Sequence, residues 1–139
     1  MLETIAYAGK QVVQKMPDGL PLKLPEAGDF IGLVGNEASR GLVGAMMQAI
    51  GCYRIPLLAV PLVVPGNGEI LPDTRRSDHA PFWDRGYPAV MVTDTANFRS
   101  PHYHQPTDTL DTLNLPFAAE VCRAVAATVV DLAGYVPAP

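Results

Sequence analysis

Residues 30–51, FIGLVGNEASRGLVGAMMQAIG, contain the pattern of a strand followed at once by a helix. The run from Phe30 to Val34 is mostly apolar, which is typical of a strand buried on both faces. Ser39 can cap the following helix, because its hydroxyl can accept a hydrogen bond from a backbone N–H group of the first turn. Apolar residues of that helix recur at spacings of three and four residues: Leu42, Val43, Met46, Met47 and Ile50. The stretch therefore predicts one strand–helix unit of an α/β protein.

The rest of the chain repeats this alternation. Residues 55–64 form an apolar run broken by two prolines, which predicts a strand near a sheet edge. Residues 78–85 predict a short helix, and the run AVMVT at 89–93 predicts a buried strand. A long amphipathic helix follows Asn114 and should stop at Gly134. Strands that alternate with helices predict a layered α/β/α fold with a mostly parallel sheet, whose ligand site lies beyond the carboxyl ends of the strands. Without a repeat or linker, one domain over residues 1–139 is predicted.

The first part of the chain has a weaker pattern. Residues 2–7 alternate and predict a short strand, whereas residues 9–29 are rich in Gly, Pro and Lys and predict one long loop. The chain has 14 prolines, which indicates long and specifically shaped connections. Loops of this kind often carry function.

Composition excludes several classes of function. A net charge of −4 with scattered Lys and Arg residues provides no basic surface for nucleic acid. Cys52 and Cys122 form no C-x-x-C pair, so they are predicted to be free, buried thiols. No apolar run reaches about 18 residues and no signal-peptide pattern is found, which predicts no membrane partner and a cytoplasmic location.

Two polar clusters could carry chemistry, and the first is Ser77-Asp78-His79. These are the three residue types of a serine-hydrolase relay. Adjacent side chains, however, point in different directions and cannot form a Ser–His–Asp relay. The chain also lacks the G-x-S-x-G turn of an α/β-hydrolase. This cluster does not predict a serine hydrolase.

The second cluster contains His102 and His104, two residues apart. In an extended segment both imidazoles would lie on the same side, and a neutral imidazole is a good zinc ligand. Zinc needs three or four ligands, so this pair alone does not make a site. Solvated or structural histidines remain the alternative.

Residues 77–114, SDHAPFWDRGYPAVMVTDTANFRSPHYHQPTDTLDTLN, resemble the C-terminal half of the zinc aminopeptidases that share a fold with glutaminyl cyclase. The similar features are S-D-H, an aromatic-bearing short helix, G-Y-P-A, a buried strand and H-x-P-x-D-T. Residues 17–36, PDGLPLKLPEAGDFIGLVGN, also resemble the preceding loop and strand of bacterial members. The resemblance implies that the chain is one partial domain, the C-terminal portion of the zinc exopeptidase fold.

That resemblance implies a site with two zinc ions. By position, His104 resembles the family's last histidine ligand, and Glu3 in LETIAY resembles an acidic ligand. The other ligands and the general-base glutamate are expected upstream of this chain, so no catalytic residue is assigned here. Residues expected to support the ligands or line the substrate pocket are Arg76, Ser77, Asp78, His79, His102 and Asp108. For Arg76, a solvated surface position is an equal alternative.

The implied reaction is removal of the N-terminal residue of a peptide by metal-activated water. One glutamate and one histidine cannot hold two zinc ions and also supply a base, so the isolated chain is predicted to be inactive. The alternative is a non-catalytic remnant of the fold that dimerises, or binds a partner, through an exposed sheet edge.

Overall fold

A computed structural model describes residues 1–134 of the chain. Its five strands are β1 (Gly9–Val13), β2 (Ala27–Gly28), β3 (Phe30–Asn36), β4 (Leu58–Val64) and β5 (Val90–Thr93). Its three α-helices are α1 (Arg40–Cys52), α2 (Ala80–Asp84) and α3 (Leu115–Leu132). The predicted strand–helix unit at 30–51 and the predicted last helix are both confirmed, except that the side chain of Ser39 makes no capping hydrogen bond to α1. None of the helices within residues 1–134 is long and apolar enough to cross a membrane.

The main sheet has the strand order β4-β3-β5. Strands β3 and β4 are parallel, whereas β5 pairs with β3 in the antiparallel sense. The α/β class is therefore confirmed, but the sheet is mixed where a mostly parallel one was predicted. The reason lies between β4 and β5, where the only α-helix is the five-residue α2. Parallel neighbouring strands are usually joined by a crossover that contains a longer helix, which this connection lacks.

Residues 1–4 lie along the free side of β5. The N–H group of Val92 donates to the carbonyl of Met1 at 2.9 Å, and the N–H of Glu3 donates to the carbonyl of Val92 at 3.0 Å. The strand predicted at 2–7 is thus reduced to a single parallel bridge between Leu2 and Val92. Within the described part of the chain, the backbone groups of Leu2 have no hydrogen-bond partner. The outer edge of this segment is therefore bare.

The two faces of the sheet are covered differently. Helices α1 and α3 pack on one face, and their core includes Leu33, Met46 and Val121. On the other face, Trp83 of α2 packs with Met91 and other apolar residues of the sheet. Only part of this second face is covered by α2, and the remainder forms the floor of the cavity described below.

Two predictions for individual segments are wrong. Residues 9–29 are not one loop, because β1 pairs with β2 in an antiparallel ladder that joins Gly9 to Gly28. The two residues of β2 are too few to give a periodic signal. Cys52 and Cys122 are free, as predicted, but exposed rather than buried. Cys122 follows the buried Val121, and one step along a helix turns a side chain by about 100° toward solvent.

Candidate functional site

An apolar cavity of about 110 Å³ lies on the second face of the sheet. Side chains on one face of a strand recur every second residue, and the floor of the cavity follows this rule. The floor consists of Phe30, Gly32 and Val34 of β3, Val60 and Leu62 of β4, and Met91 and Thr93 of β5. A single side of the sheet therefore provides a continuous apolar surface.

Loops form the rest of the cavity. One wall contains residues 71–74 and Arg76, and another contains residues 95–98. The cover comes from residues 15–25, called the roof loop here, which contributes Leu20, Leu22 and Leu24. Its leucines alternate with exposed Pro21 and Lys23. The cavity thus lies between the main sheet and the roof loop.

Glu3 lines this cavity. The pairing of Leu2 with Val92 places Glu3 beside β5, on the same face as Thr93. Glu3 is partly buried. The predicted acidic ligand is therefore positioned by the sheet itself.

His104 is linked to the same cavity through Tyr103. Tyr103 lines the cavity, and the imidazole of His104 stacks on its ring with the centroids 4.0 Å apart. The backbone of His104 is left-handed, with a φ of 58°, which is a conformation that histidine adopts more readily than most residues. Glu3 and Tyr103 thus line one cavity, although about 100 residues separate them in the sequence, whereas His104 is exposed and adjoins the cavity only through its stacking on Tyr103.

His102 has a different environment. Its ring lies edge-on to that of Tyr7, with centroids 5.6 Å apart, and its Nδ1 is 3.0 Å from the hydroxyl of Thr107. The carbonyl of His102 accepts a hydrogen bond from the N–H of Gln105, so the segment is a turn. The segment is therefore not extended, which is the condition under which the two imidazoles would lie on the same side, and each imidazole has its own neighbours.

His79 is buried behind the cavity wall, with 1% of its surface exposed. Its Nε2 is 2.7 Å from the carbonyl of Thr74, a residue that lines the cavity. Because a carbonyl can only accept, Nε2 carries the proton. The ring also meets Trp83 edge-on at 4.4 Å. Burial lowers the pKa of His79, and the hydrogen bond to Thr74 opposes that shift. His79 therefore supports the wall and does not face the cavity.

Arg76 lies at the cavity and is held there by neighbours. Its Nη1 donates to the side-chain oxygen of Asn97 at 2.7 Å and to Asp73 at 3.3 Å. Its guanidinium lies 6.0 Å from the centre of the Tyr103 ring. Arg76 is still partly exposed, with 45% of its side chain accessible. Arg76 is thus held at the mouth of the cavity by its hydrogen bonds to Asn97 and Asp73.

The other predicted supporting residues are more peripheral. The Ser77 hydroxyl is buried, and no partner for it is found within residues 1–134. Asp78 is exposed. Asp108 is also exposed, and its backbone N–H donates to the carbonyl of Gln105 at 3.0 Å. Its backbone thus closes the turn after His104.

Asp94 is an important residue that the sequence patterns did not identify. It is completely buried at the end of β5, and its carboxylate accepts hydrogen bonds from the Thr4 hydroxyl and from the backbone N–H groups of Ala6, Tyr7 and Ala96. A usable signal was present, because an aspartate directly after a buried strand often bonds to the backbone two residues further on. The bonds to residues 4–7 could not be anticipated, since they join distant parts of the chain.

The described residues do not form a complete zinc site. Within residues 1–134, no group of three or more His, Cys, Asp and Glu side chains is close enough to hold a metal ion. Zinc requires three or four ligands, so the residues present do not fit the ion on their own. Glu3 and His104 could supply at most part of such a site.

Comparison with known proteins gives three similarities. Residues 66–129 match the model of peptidase family M28. The uncharacterized protein YfbL of Escherichia coli strain K12 is 36% identical over 101 residues, which is 73% of this chain and 30% of YfbL. The crystal structure of the Legionella pneumophila LapA aminopeptidase matches with a TM-score of 0.55 and 20% identity, over 76% of this chain and 27% of LapA. The last similarity concerns the fold alone. The chain spans less than a third of the length of either relative.

Proposed function

We propose that the chain, whose residues 66–129 match the model of peptidase family M28, is part of the catalytic domain of a zinc-dependent aminopeptidase. The observation that carries the proposal is the association of Glu3 and the Tyr103–His104 pair with one cavity. A carboxylate and an imidazole are both ligands that zinc accepts. Glu3 and His104 are the two metal ligands that the chain contributes.

The cavity supports a substrate with an apolar first residue. Its floor and roof are made mainly of Phe, Leu, Val and Met side chains, which favour an apolar group that leaves water. Glu3 lines the same cavity, and the negative charge of its carboxylate attracts the positive charge of a peptide's α-amino group. A peptide with a free amino terminus and an apolar first side chain satisfies both features.

The remaining ligands and the general base are supplied by polypeptide outside these 139 residues. One carboxylate and one imidazole leave most of the coordination of zinc to water, which gives weak binding. Without a positioned base, attack on the peptide bond loses a further contribution of about 10²–10⁴-fold. The chain alone therefore binds zinc weakly and does not turn over peptide.

Zinc titration of the chain against a chromogenic chelator tests this assignment. Glu3→Gln and His104→Ala should each weaken the residual zinc affinity by about ten-fold, while the exposed controls Glu26→Gln and Gln105→Ala leave it unchanged. Hydrolysis of leucine p-nitroanilide should stay at background in all five proteins. If both ligand variants bind zinc as the unmodified chain does, the assignment of Glu3 and His104 is wrong. Two tightly held zinc ions with steady turnover would refute the incompleteness of the site.

A second candidate function is association with another copy of the chain. Next to the bare edge of Leu2 lies an apolar groove of about 240 Å³ between residues 1–2, α1, β5 and α3. Leu2, Val129 and Leu132 border it, with 40%, 58% and 56% of their surfaces exposed. Among the described residues, the side chains that line the groove are uncharged, and the ammonium group of Met1 at its border donates to the carbonyl of Val90. Pairing of two Leu2 edges about a two-fold axis would satisfy their backbone groups.

The molar mass in solution, measured by light scattering during size-exclusion chromatography, tests this association. Dimers should form at high concentration, and Val129→Lys should abolish them by placing a charge in the groove. Ala119→Lys, on an exposed part of the same helix, is the matched control and should leave the dimer intact. A monomeric mass for the unmodified chain at all concentrations excludes this function.

A further inference from the structure

The two ends of the roof loop lie next to each other in the structure. The backbone N–H of Gln14 donates to the carbonyl of Glu26 at 2.9 Å, so the ends of residues 15–25 lie side by side. A compact loop of this length with adjoining ends is an Ω-loop, a type that is frequently functional. Gly19 has a φ of 72° and forms the turn at the tip with Asp18. The loop therefore has a defined shape.

One side of the roof loop is apolar and faces the cavity. Leu20, Leu22 and Leu24 line the cavity, and Leu24 is only 8% exposed. Pro21 is exposed, and Lys23 has 83% of its side chain accessible. This alternation has a period of two, as in an extended segment with one buried side. The inner side of the loop thus adds apolar surface directly above the sheet.

The base of the roof loop is attached to the floor of the cavity. The buried side chain of Gln14 accepts a hydrogen bond from Nε of Arg99 at 2.9 Å, and Nη1 of Arg99 donates to the carbonyl of Phe30 at 2.9 Å. Next to it, the N–H of Lys15 donates to the carbonyl of Phe98 at 2.8 Å. Phe30 and Phe98 both line the cavity. These bonds therefore attach the base of the roof loop to residues that line the cavity.

We propose that the roof loop determines the specificity of the cavity, with Leu22 and Leu20 limiting it to one compact branched aliphatic group. The floor belongs to a hydrogen-bonded sheet, so the side chains of the loop are the part of the wall that can vary without disturbing the core. A volume of about 110 Å³ is smaller than the apolar cavity of about 150 Å³ that holds one benzene ring. We therefore expect a bicyclic aromatic group to fit beneath the leucines less well than a compact aliphatic group.

This inference rests on the proposed function only for the identity of the natural ligand, which would be the first side chain of a peptide. The size limit itself is a property of the cavity and can be measured without metal or turnover. Suitable neutral probes are 2-methylpropan-1-ol, which matches a leucine side chain, and indole. Titration of each probe into metal-free chain with ¹³C-labelled leucine methyl groups gives both dissociation constants by NMR.

The unmodified chain should bind 2-methylpropan-1-ol more tightly than indole, and the leucine methyl signals of the roof should shift. Leu22→Ala should change the ratio of the two dissociation constants by about ten-fold in favour of indole, because it removes wall atoms and opens space. Lys23→Ala, on the outer side of the same loop, is the matched control and should leave the ratio unchanged. The Trp83 indole signal reports whether each variant is folded. Should Leu22→Ala fail to fold, Leu20→Ala serves the same purpose.

An unchanged ratio in the folded leucine variant, or an equal change in Lys23→Ala, would overturn the proposal. The failure of the proposed function is recognised separately. If zinc binding does not depend on Glu3 and His104 but the probe ratio shifts as expected, the roof loop still determines specificity while the aminopeptidase assignment fails. If the ratio stays constant while zinc binding depends on Glu3 and His104, the assignment of the two ligands stands and the proposed role of the roof loop fails.

Discussion

Asp94 and Thr4, which are 90 residues apart in the sequence, are joined by a hydrogen bond from the threonine hydroxyl to the aspartate carboxylate. The second carboxylate oxygen accepts from the N–H groups of Ala6 and Tyr7 at 3.0 and 2.9 Å. The N–H of Asp94 also donates to the carbonyl of Thr4 at 2.7 Å. This single residue therefore anchors the first segment against β5, and with it the position of Glu3.

Replacing Asp94 by Asn should destabilise the chain by about 2–4 kcal/mol, because a buried NH₂ group would face N–H donors that need an acceptor. Urea unfolding of both proteins measures the difference in the free energy of unfolding. Asp111→Asn, at an exposed position, is the control and should change stability by less than about 0.5 kcal/mol. A loss for Asp94→Asn no larger than for the control would show that the anchor is unimportant.

Two glycines should respond in opposite directions to alanine. A Cβ at Gly28 would lie 2.8 Å from Cδ of Arg99 and 2.9 Å from Cγ1 of Val12, whereas a Cβ at Gly44 in α1 would meet nothing within 4 Å. Gly28→Ala should therefore cost about 1–3 kcal/mol by displacing Arg99 from the base of the roof loop. Gly44→Ala should stabilise by about 0.5–1 kcal/mol, because alanine favours a helix interior. Thermal unfolding of the two variants distinguishes the signs, and equal signs would contradict this packing.

The elements that the sequence predicts well are those whose signal is local. The apolar run from Phe30 to Val34 predicts a strand that is buried on both faces, as found in β3. The three-four spacing in Leu115–Leu132 predicts a helix that buries one side, as found in α3. Asn114 caps the last helix by accepting from the N–H of Phe117 at 3.0 Å, as its position suggests. Neighbouring residues in the sequence are sufficient to predict these elements.

The cavity could not be predicted in the same way. The alternation of Leu20, Leu22 and Leu24 is visible in the sequence, but it does not reveal which surface the leucines cover. That surface is the face of a sheet whose strands come from three distant segments, and the loop is held over it by Gln14 and Arg99, 85 residues apart. The direction of β5 and the bonds of Asp94 also depend on such non-local pairing. Sequence reasoning therefore identified Glu3 and His104 only through family resemblance.

Ser39 should be important for the junction between α1 and the sheet. It is completely buried, its hydroxyl donates to the side chain of Asn36 at 2.5 Å, and it accepts from the N–H of Ala89 at 2.9 Å. Ser39→Ala leaves the Ala89 N–H without that acceptor and should lower the free energy of unfolding by about 1–3 kcal/mol. Amide hydrogen exchange should report the loss specifically at Ala89. Unchanged protection there, compared with the unmodified chain, would rule out the bridge.

The stability of the chain should depend on pH through His79. Burial holds the pKa of the His79 imidazole below its ordinary value of 6.5. The Met1 ammonium and Arg75 also lower this pKa, while Asp78 and the Thr74 carbonyl raise it. The folded chain therefore keeps the ring neutral at pH values where the unfolded chain takes up a proton. Above about pH 6.5 the free energy of unfolding does not depend on the protonation of His79. Below that pH, the stability that comes from keeping His79 neutral decreases as the pH falls toward the folded pKa.

The variant His79→Gln tests this dependence, because glutamine can donate to the Thr74 carbonyl but does not titrate. Between pH 7.5 and 5, the stability advantage of the unmodified chain over the variant should shrink, with a slope no steeper than about 1.4 kcal/mol per pH unit for one proton. His102→Gln, at a partly exposed position, is the control and should follow the unmodified chain. The free energies of unfolding of His79→Gln and the unmodified chain could instead change in parallel with pH over this range. The buried imidazole would then take up its proton as readily in the folded state as in the unfolded state. In that case the packing against Trp83 would not exclude the charged form.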